Sequence, residues 1–461
     1  MHPGPASSPP TVPKAISKAS SMLLMALLMA LILPLSAWAQ SKREDPQKLW
    51  ESQSAEGHRA LRARRYVEAE AHFIKAVLTA KTGNLAGAYV NSRSALGDAL
   101  LGQHRYEEAD AAFRSTLKLV RRQMPNRRSA IAHLRGRLAG AQMSRGNYKE
   151  AELLYLKSLA FYSRPEGGQP AQAAEIMRRL GKAYLALDRF RKAENFFRNS
   201  LAIKSRLDGP DSPPAAQVRL GLAIALKAMD RLAEAEGEVS LALPVMEKLP
   251  GGGQHFADAL RIRGGIRLAQ GRVAEAITLY RRSLAMLEKE LEPTSLNLVS
   301  NLNNLALAYQ KTNALEKSLA LFERSLIILK GTLGVDHPRV AMAENNMAYI
   351  LIQMKRYQDT EPRLLRAKRI LESTVGKRDL LYAAVLDSLA VLYRAQSLYG
   401  KAEALFKESL RIVESTVGPE HSALVESLGN YAELLKKTNR LAEAKILEHR
   451  AAAIRKKNEF R

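Results

Sequence analysis

The sequence predicts an all-α solenoid of about ten antiparallel helix pairs, and three observations carry that expectation. Composition is the first: of 461 residues, 46% are hydrophobic, 25% charged and only 6% aromatic, with long stretches rich in Ala, Leu, Arg and Glu. Such a balance excludes wholesale disorder and favours helices whose cores are filled by small and aliphatic side chains. The second is a period of about 42 residues. Small residues recur at Ala69, Ala109, Ala151, Ala193, Ala235, Ala276, Ser318, Thr360, Ala402 and Ala444, and self-similarity at such a spacing marks a repeat architecture. The third is the coincidence of three further columns with the first. Gly or Ala stands twelve positions earlier every time, from Gly57 through Gly181 to Ala432; a bulky residue stands three earlier, from Tyr66 to Leu441; another small one stands seven later, from Ala76 to Ala451.

From the N terminus, residues 1–39 have the pattern of a secretory signal peptide. Lys14 and Lys18 supply a positive segment, Met22–Leu33 an unbroken apolar run, and Ala37-Trp38-Ala39 a small-x-small cleavage site before Gln40. The apolar run is too short to span a bilayer, which takes roughly 20 residues. The mature chain is therefore expected to be exported, periplasmic or secreted, with no membrane span. Residues 40–250 are expected to form repeats 1–5, and residues 251–461 repeats 6–10 with a C-terminal cap. Within a repeat, Leu302, Leu305, Ala306 and Tyr309 fall at helical spacing, Asn313 marks a turn, and Leu315, Ser318, Leu319, Phe322, Ser325 and Leu326 trace a second helix. Small residues let the two helices cross closely. A ring four positions after the first column (Phe73, Phe113, Tyr155, Phe197, Tyr280, Phe322, Phe406) fills the space beside them. No pair buries its apolar face alone; stacked neighbours do. Repeat 5 departs, with Val239 in the ring column, Pro244 inside its second helix and Gly251-Gly252-Gly253 after it. Proline removes a backbone donor and kinks or ends a helix, so a bend or flexible joint is expected at 244–254.

These columns, Gly/Ala in the first helix and then Tyr, Ala and Phe/Tyr in the second, resemble the tetratricopeptide repeat (TPR). Leu302-Asn303-Asn304-Leu305-Ala306 and Gly334-Val335-Asp336-His337-Pro338 look like the 42-residue repeats of kinesin light chains and their bacterial relatives. The resemblance covers roughly residues 47–456 and implies a right-handed superhelix whose first helices line a concave groove. It departs at Glu448, which replaces the ring in the last repeat and suits a solvent-facing cap.

Little in the chain suits catalysis. Cysteine is absent, which excludes disulfides, a thiolate nucleophile and Cys-ligated metals. There is no HExxH, phosphate loop, GxSxG or dinucleotide fingerprint. His337 and His421 hold equivalent loop positions, with Asp379 in the slot between them, a pattern of loop capping rather than metal binding. Carboxylate pairs such as Glu107-Glu108 sit on a helix surface and converge on no pocket. No enzyme activity, cofactor or metal is expected. Two surfaces stand out instead. One step off the packing stripe, the first helices of repeats 7–10 present Asn303, Leu307 and Gln310; Asn345, Tyr349 and Ile352; Asp387, Val391 and Arg394; and Gly429, Glu433 and Lys436. An asparagine amide donates to and accepts from a peptide backbone at once, so stacked asparagines suit an extended ligand. The candidate peptide-groove residues are Asn303, Gln310, Asn345, Tyr349, Asp387 and Arg394. Similarity to kinesin light chains implies that such asparagines contact cargo, and Asp387-Ser388 and Gly429 interrupt the ladder.

The second surface is basic. The chain carries 71 basic against 46 acidic residues, a formal charge of +25, and residues 111–149 hold ten basic side chains and no acidic one. Within them Arg121, Arg122, Arg127 and Arg128 flank one inter-repeat loop, where guanidiniums suit phosphate or carboxylate. Arg121 and Arg122 also close a helix C terminus, where the dipole favours positive charge. Aromatics lie in packing columns rather than among the arginines, so nucleic acid is not an expected partner. The leading expectation is a non-catalytic scaffold gripping polypeptide partners. The alternative is binding of anionic envelope polymers through 111–149.

Overall fold

The computed structural model describes residues 45–165 and 168–459; the expected signal peptide at 1–39 lies outside them. Among the described residues the regular structure is helical throughout, with twenty α-helices. They fall into two compact units, the first ending at Ala99 and the second beginning at Leu100. The first holds α1 (Pro46–Arg62), α2 (Tyr66–Thr82) and most of α3 (Ala86–Gly102). Phe73 on α2 is fully buried beside Gly57 on α1, where a Cβ would come within 2.6 Å of the ring. Trp50 Nε1 donates to Ser92 Oγ at 2.8 Å, tying α1 to α3.

The second unit begins with the end of α3 and α4 (Tyr106–Gln123). Pairs follow: α5 (Arg128–Ser144) with α6 (Tyr148–Tyr162), α7 (Pro170–Ala186) with α8 (Phe190–Asp208), α9 (Pro213–Ala228) with α10 (Leu232–Glu247), and α11 (Gly253–Ala269) with α12 (Val273–Glu290). After a short 3₁₀ turn at Leu296–Leu298 come α13 (Val299–Lys311) with α14 (Leu315–Leu333), α15 (Pro338–Gln353) with α16 (Tyr357–Thr374), α17 (Leu380–Ala395) with α18 (Tyr399–Val417), and α19 (Leu424–Lys437) with α20 (Leu441–Glu459). Odd-numbered helices are the first (A) and even-numbered the second (B) of each repeat. The ring column is the core of the array: Phe113, Phe197, Phe322 and Phe406 are fully buried and Tyr155 and Tyr280 nearly so.

One turn joins A to B in all ten repeats. Arg64, His104, Gly146, Asp188, Asp230, Gly271, Asn313, Lys355, Ser397 and Asn439 all take φ between +53° and +80°. The next amide in each case donates to the carbonyl five residues back, as Asn147 to Gln142, Arg189 to Tyr184 and Ala314 to Tyr309, at 2.8–3.0 Å across the set. This is the Schellman closure, which satisfies the last carbonyls of helix A and fixes the antiparallel return. The small column seven residues after the alanines has a second role. Ser158, Ser200, Ser283 and Ser409 donate to the carbonyls of Ala132, Ala174, Ala257 and Ala383 at 2.6–2.9 Å, pinning B to A inside the repeat.

Repeats are also stapled to one another. The glutamate after the alanine column reaches the arginine that follows the turn of the next repeat, in Glu152–Arg189 (3.0 Å), Glu194–Arg231 (2.7 Å) and Glu403–Arg440 (2.8 Å). His337 and Asp379 cap their helices, and His421 closes the turn before α19, as expected of loop-capping residues. Their side chains accept from the amides of Arg339 (3.1 Å), Leu381 (2.8 Å) and Ala423 (3.2 Å). Asp188, in the turn of repeat 4, lies 3.6 Å from the other ring nitrogen of His421, so parts of the chain more than five repeats apart meet. Pro244 does not end its helix: α10 carries it and continues to Glu247 before the turn at Gly251, whose φ is +65°. Glu448 in the last repeat is half-buried and paired with Lys436 at 2.6 Å.

Candidate partner-binding groove

In the second unit, A helices of neighbouring repeats touch directly: α7 with α9, α9 with α11, α11 with α13, α15 with α17, and α17 with α19. The A side is therefore the crowded, inner side of the stack. Its curvature brings together residues two repeats apart. Tyr349 on α15 hydrogen-bonds Asn430 on α19 and lies near Glu426, while Lys182 on α7 lies near Asp258 on α11.

Asn303, Asn345 and Asp387 occupy one position on three successive A helices, and they share a chemical state. The Oδ1 atom of each is buried and accepts no hydrogen bond. Asn303 and Asn345 make no side-chain hydrogen bond at all among the described residues. A buried oxygen without a donor costs about 1–3 kcal/mol. Asp387 is 7% exposed. Its other oxygen accepts from Asn430 Nδ2 at 2.9 Å, and Ser427 also bonds the carboxyl. Burial pushes the Asp387 carboxyl up to about 6, against the pull of Ser427 and Asn430, with nearby Glu426 adding to the rise. Arg394 donates from Nη1 to the Asn430 carbonyl at 2.8 Å. Three of the expected groove residues, Tyr349, Asp387 and Arg394, thus converge on Asn430. Gln310 is half-buried and joins no such cluster, and Leu307 stands exposed beside it at 43%.

The tetratricopeptide-repeat family model matches residues 128–206, 172–248, 255–331, 339–415 and 389–457, most of the chain. The chain belongs to the tetratricopeptide-repeat family. Its repeats build a protein-interaction scaffold. Repeats of a kinesin light chain from Podosopora anserina share 18% identity, covering 54% of this chain and 97% of that one, at a TM-score of 0.31. BtubC (BKLC) from P. vanneervenii shares 24% identity over 50% of this chain and 92% of its own, at a TM-score of 0.40. A Rap protein complexed with Competence and Sporulation Factor aligns over 90% of this chain and 99% of its own, at 14% identity and a TM-score of 0.53, a likeness of fold. No curated protein matches the chain in sequence.

The other expected site lies at the α4–α5 loop of this TPR array. Arg121, Arg122, Arg127 and Arg128 are all exposed there, and none has a carboxylate partner among the described residues. The rest of the basic run is partly neutralised by acids just outside it. Arg114 pairs with Asp110 (2.8 Å) and Glu150 (2.6 Å), and Arg145 lies 3.6 Å from both Glu107 and Asp110. Sequence reasoning missed Glu344 on α15. It is 2% exposed and held by Lys330 (2.7 Å) and Arg363 (2.8 Å), whose attraction overrides burial and keeps its carboxyl below the usual glutamate range. Among the described residues no cluster of three or more His, Asp or Glu side chains could hold a metal ion, and no helix is long and apolar enough to cross a membrane.

Proposed function

We propose that this TPR protein is a non-catalytic scaffold, exported to the cell envelope or beyond, that holds a polypeptide in extended form along the A-helix face of repeats 7–9. The observation that carries the proposal is the alignment of Asn303, Asn345 and Asp387 at one repeat position on the side where neighbouring A helices touch. A strand of backbone carbonyls offers acceptors to the side-chain amides of Asn303 and Asn345, which have no hydrogen-bond partner among the described residues. Exposed Leu307 and half-buried Tyr349 offer apolar area on the same face. The test is replacement of Asn303, Asn345 and Tyr349 by Ala, followed by cross-linked recovery of partners from the envelope fraction. A partner bound by the wild-type chain is expected to be lost; unchanged binding excludes this face. Export is checked separately by N-terminal sequencing of the mature protein, which is expected to begin at Gln40.

A second reading rests on the exposed, unpartnered guanidiniums of Arg121, Arg122, Arg127 and Arg128. Such a loop suits anionic envelope polymers. Because exposed charges are screened, binding there would fall steeply between 0.05 and roughly 0.5 M salt, where the screening length drops below about 5 Å. A groove-bound polypeptide would remain.

A further inference from the structure

An ion pair joins successive B helices along the second half of the array, and two junctions break it. The residue twelve positions after one alanine column meets the residue six positions after the next. Glu247 meets Arg282 (3.4 Å), Glu288 meets Arg324, and Glu414 meets Arg450 (2.6 Å) in this way. At the junction of repeats 8 and 9 both positions are acidic, Glu372 and Glu408, and Glu372 takes Lys377 instead (2.9 Å). At the junction of repeats 7 and 8 both are basic, Lys330 and Arg366. Lys330 is engaged by Glu344 (2.7 Å), so Arg366 lacks the glutamate that its counterparts have. Arg369 stands one helical turn further along α16. Neither guanidinium has a carboxylate or a hydrogen-bond partner among the described residues.

Both arginines line a hollow of about 370 Å³, with Asp336, Ile370 and Ser373. The four residues on α16 fall at i, i+3, i+4 and i+7 and so share one face of the helix. Asp336 comes from the α14–α15 loop, whose course is fixed on both sides of it. The Gly334 amide donates to the Lys330 carbonyl at 3.1 Å, with a φ of +87° at the glycine, and His337 Nδ1 accepts from the Arg339 amide at 3.1 Å. The lining dictates what the hollow can hold. Two guanidiniums against one carboxylate leave one positive charge, and the guanidinium fork matches the two oxygens of a carboxylate. Asp336, once ionised, only accepts hydrogen bonds. Ser373 already donates its hydroxyl hydrogen to the Ile370 carbonyl at 3.0 Å, so it too is left as an acceptor. An occupant must therefore bring hydroxyl donors as well as an anion. Acetate meets only the second demand, and a neutral sugar only the first. A volume of this size is at the small end of ligand sites, which suits a single sugar ring.

We propose that the hollow between α16 and the α14–α15 loop binds a sugar carboxylate of the uronic-acid type. Arg366 and Arg369 take its carboxylate, Asp336 and Ser373 accept from its hydroxyls, and Ile370 meets the apolar face of the ring. The site lies on a B helix and shares no residue with the A-helix groove or with the loop at 121–128, so it stands or falls independently of both readings. A free uronic acid and the terminal residue of an acidic polysaccharide present this same chemistry.

The test is calorimetric titration of the full chain with D-glucuronate, a galacturonate trimer, D-glucose and acetate. Wild type is compared with Arg366→Gln/Arg369→Gln, Asp336→Ala and Arg121→Gln/Arg122→Gln, each checked for folding by its thermal melt. Wild type is expected to bind glucuronate about ten-fold more tightly than glucose or acetate, or better. The double substitution at 366 and 369 should weaken glucuronate about ten-fold or more, Asp336→Ala about three-fold or more, and the substitutions at 121 and 122 not at all. Equal affinity for glucuronate and the trimer would support the site and assign it to a free sugar acid. Tighter binding of the trimer, lost with Arg366 and Arg369, would support it and assign it to a chain end. Acetate bound as tightly as glucuronate would reduce the hollow to an unselective anion contact and overturn the proposal. So would the absence of uronate binding by wild type, uronate binding that survives loss of both arginines, or trimer binding lost only with Arg121 and Arg122.

Discussion

Replacing Asp387 by Asn tests the groove's electrostatics without changing its size. In the folded chain the carboxyl is held at about 6, against 3.8 for an ordinary aspartate, chiefly by burial. The raised value means that the fold favours the protonated acid. Stability is therefore greatest below pH 4, where the side chain is neutral in both states, and falls as pH rises through 6, where the unfolded chain has already ionised and the folded chain must follow. At about 1.4 kcal/mol per pH unit, the accumulated penalty above pH 7 is about 3 kcal/mol. Asparagine keeps an acceptor for Asn430 and Ser427 and carries no charge. Asp387→Asn is expected to match wild type at pH 4 and to exceed it by up to about 3 kcal/mol at pH 8, measured as urea midpoints across that range. If the variant is less stable at pH 8, or keeps the wild-type slope between pH 4 and 7, then the carboxylate is not desolvated as described and the reasoning fails.

Three further outcomes follow from other parts of the array. Glu344→Gln leaves Lys330 and Arg363 facing a neutral partner and is expected to cost about 3 kcal/mol at pH 7. Because the folded carboxyl titrates below the ordinary glutamate value, that difference should shrink as pH falls below about 4.5, seen in paired thermal melts. Gly221→Ala places a Cβ 2.5 Å from the Phe197 ring, which Gly181 crowds from another side at 2.7 Å; a loss of about 1–3 kcal/mol in denaturant unfolding is expected. Lys355→Gly relieves a left-handed side chain at φ +58° inside a turn made by backbone bonds. It should be neutral or stabilising by up to about 1 kcal/mol, whereas loss of stability would show that the lysine side chain, not the turn, matters.

The fold was legible because its determinants repeat. Small residues at the helix crossing, a ring four positions on and helical spacing between them define the pair, and ten copies leave no room for another period. The turn was legible only at Asn313. Arg64, Lys355 and Ser397 take the same left-handed conformation with little propensity for it, because the Schellman bonds impose it from the backbone. Interactions between repeats were hidden, since Glu152 finds Arg189 and Glu344 finds Lys330 at separations set by packing rather than by a local motif. The binding face was half legible. Stacked asparagines are visible as a column, but the meeting of Asp387 and Arg394 with Asn430 on the next A helix is set by packing. The densest basic run lies at 111–149, where Glu107, Asp110 and Glu150 close over part of it. Pro244 lies inside α10, which runs on to Glu247.

The central claim is that the inner A-helix face of this TPR array, not its outer B face, holds a polypeptide. Photo-crosslinking decides it most directly, with benzoylphenylalanine placed in turn at Leu307 on α13 and at Ile327 on α14, both exposed. The account predicts a polypeptide crosslink from position 307 in the envelope fraction that disappears when Asn303 and Asn345 are also replaced by Ala, and none from position 327. A crosslink from 327 alone, or one from 307 that survives loss of both asparagines, would contradict it.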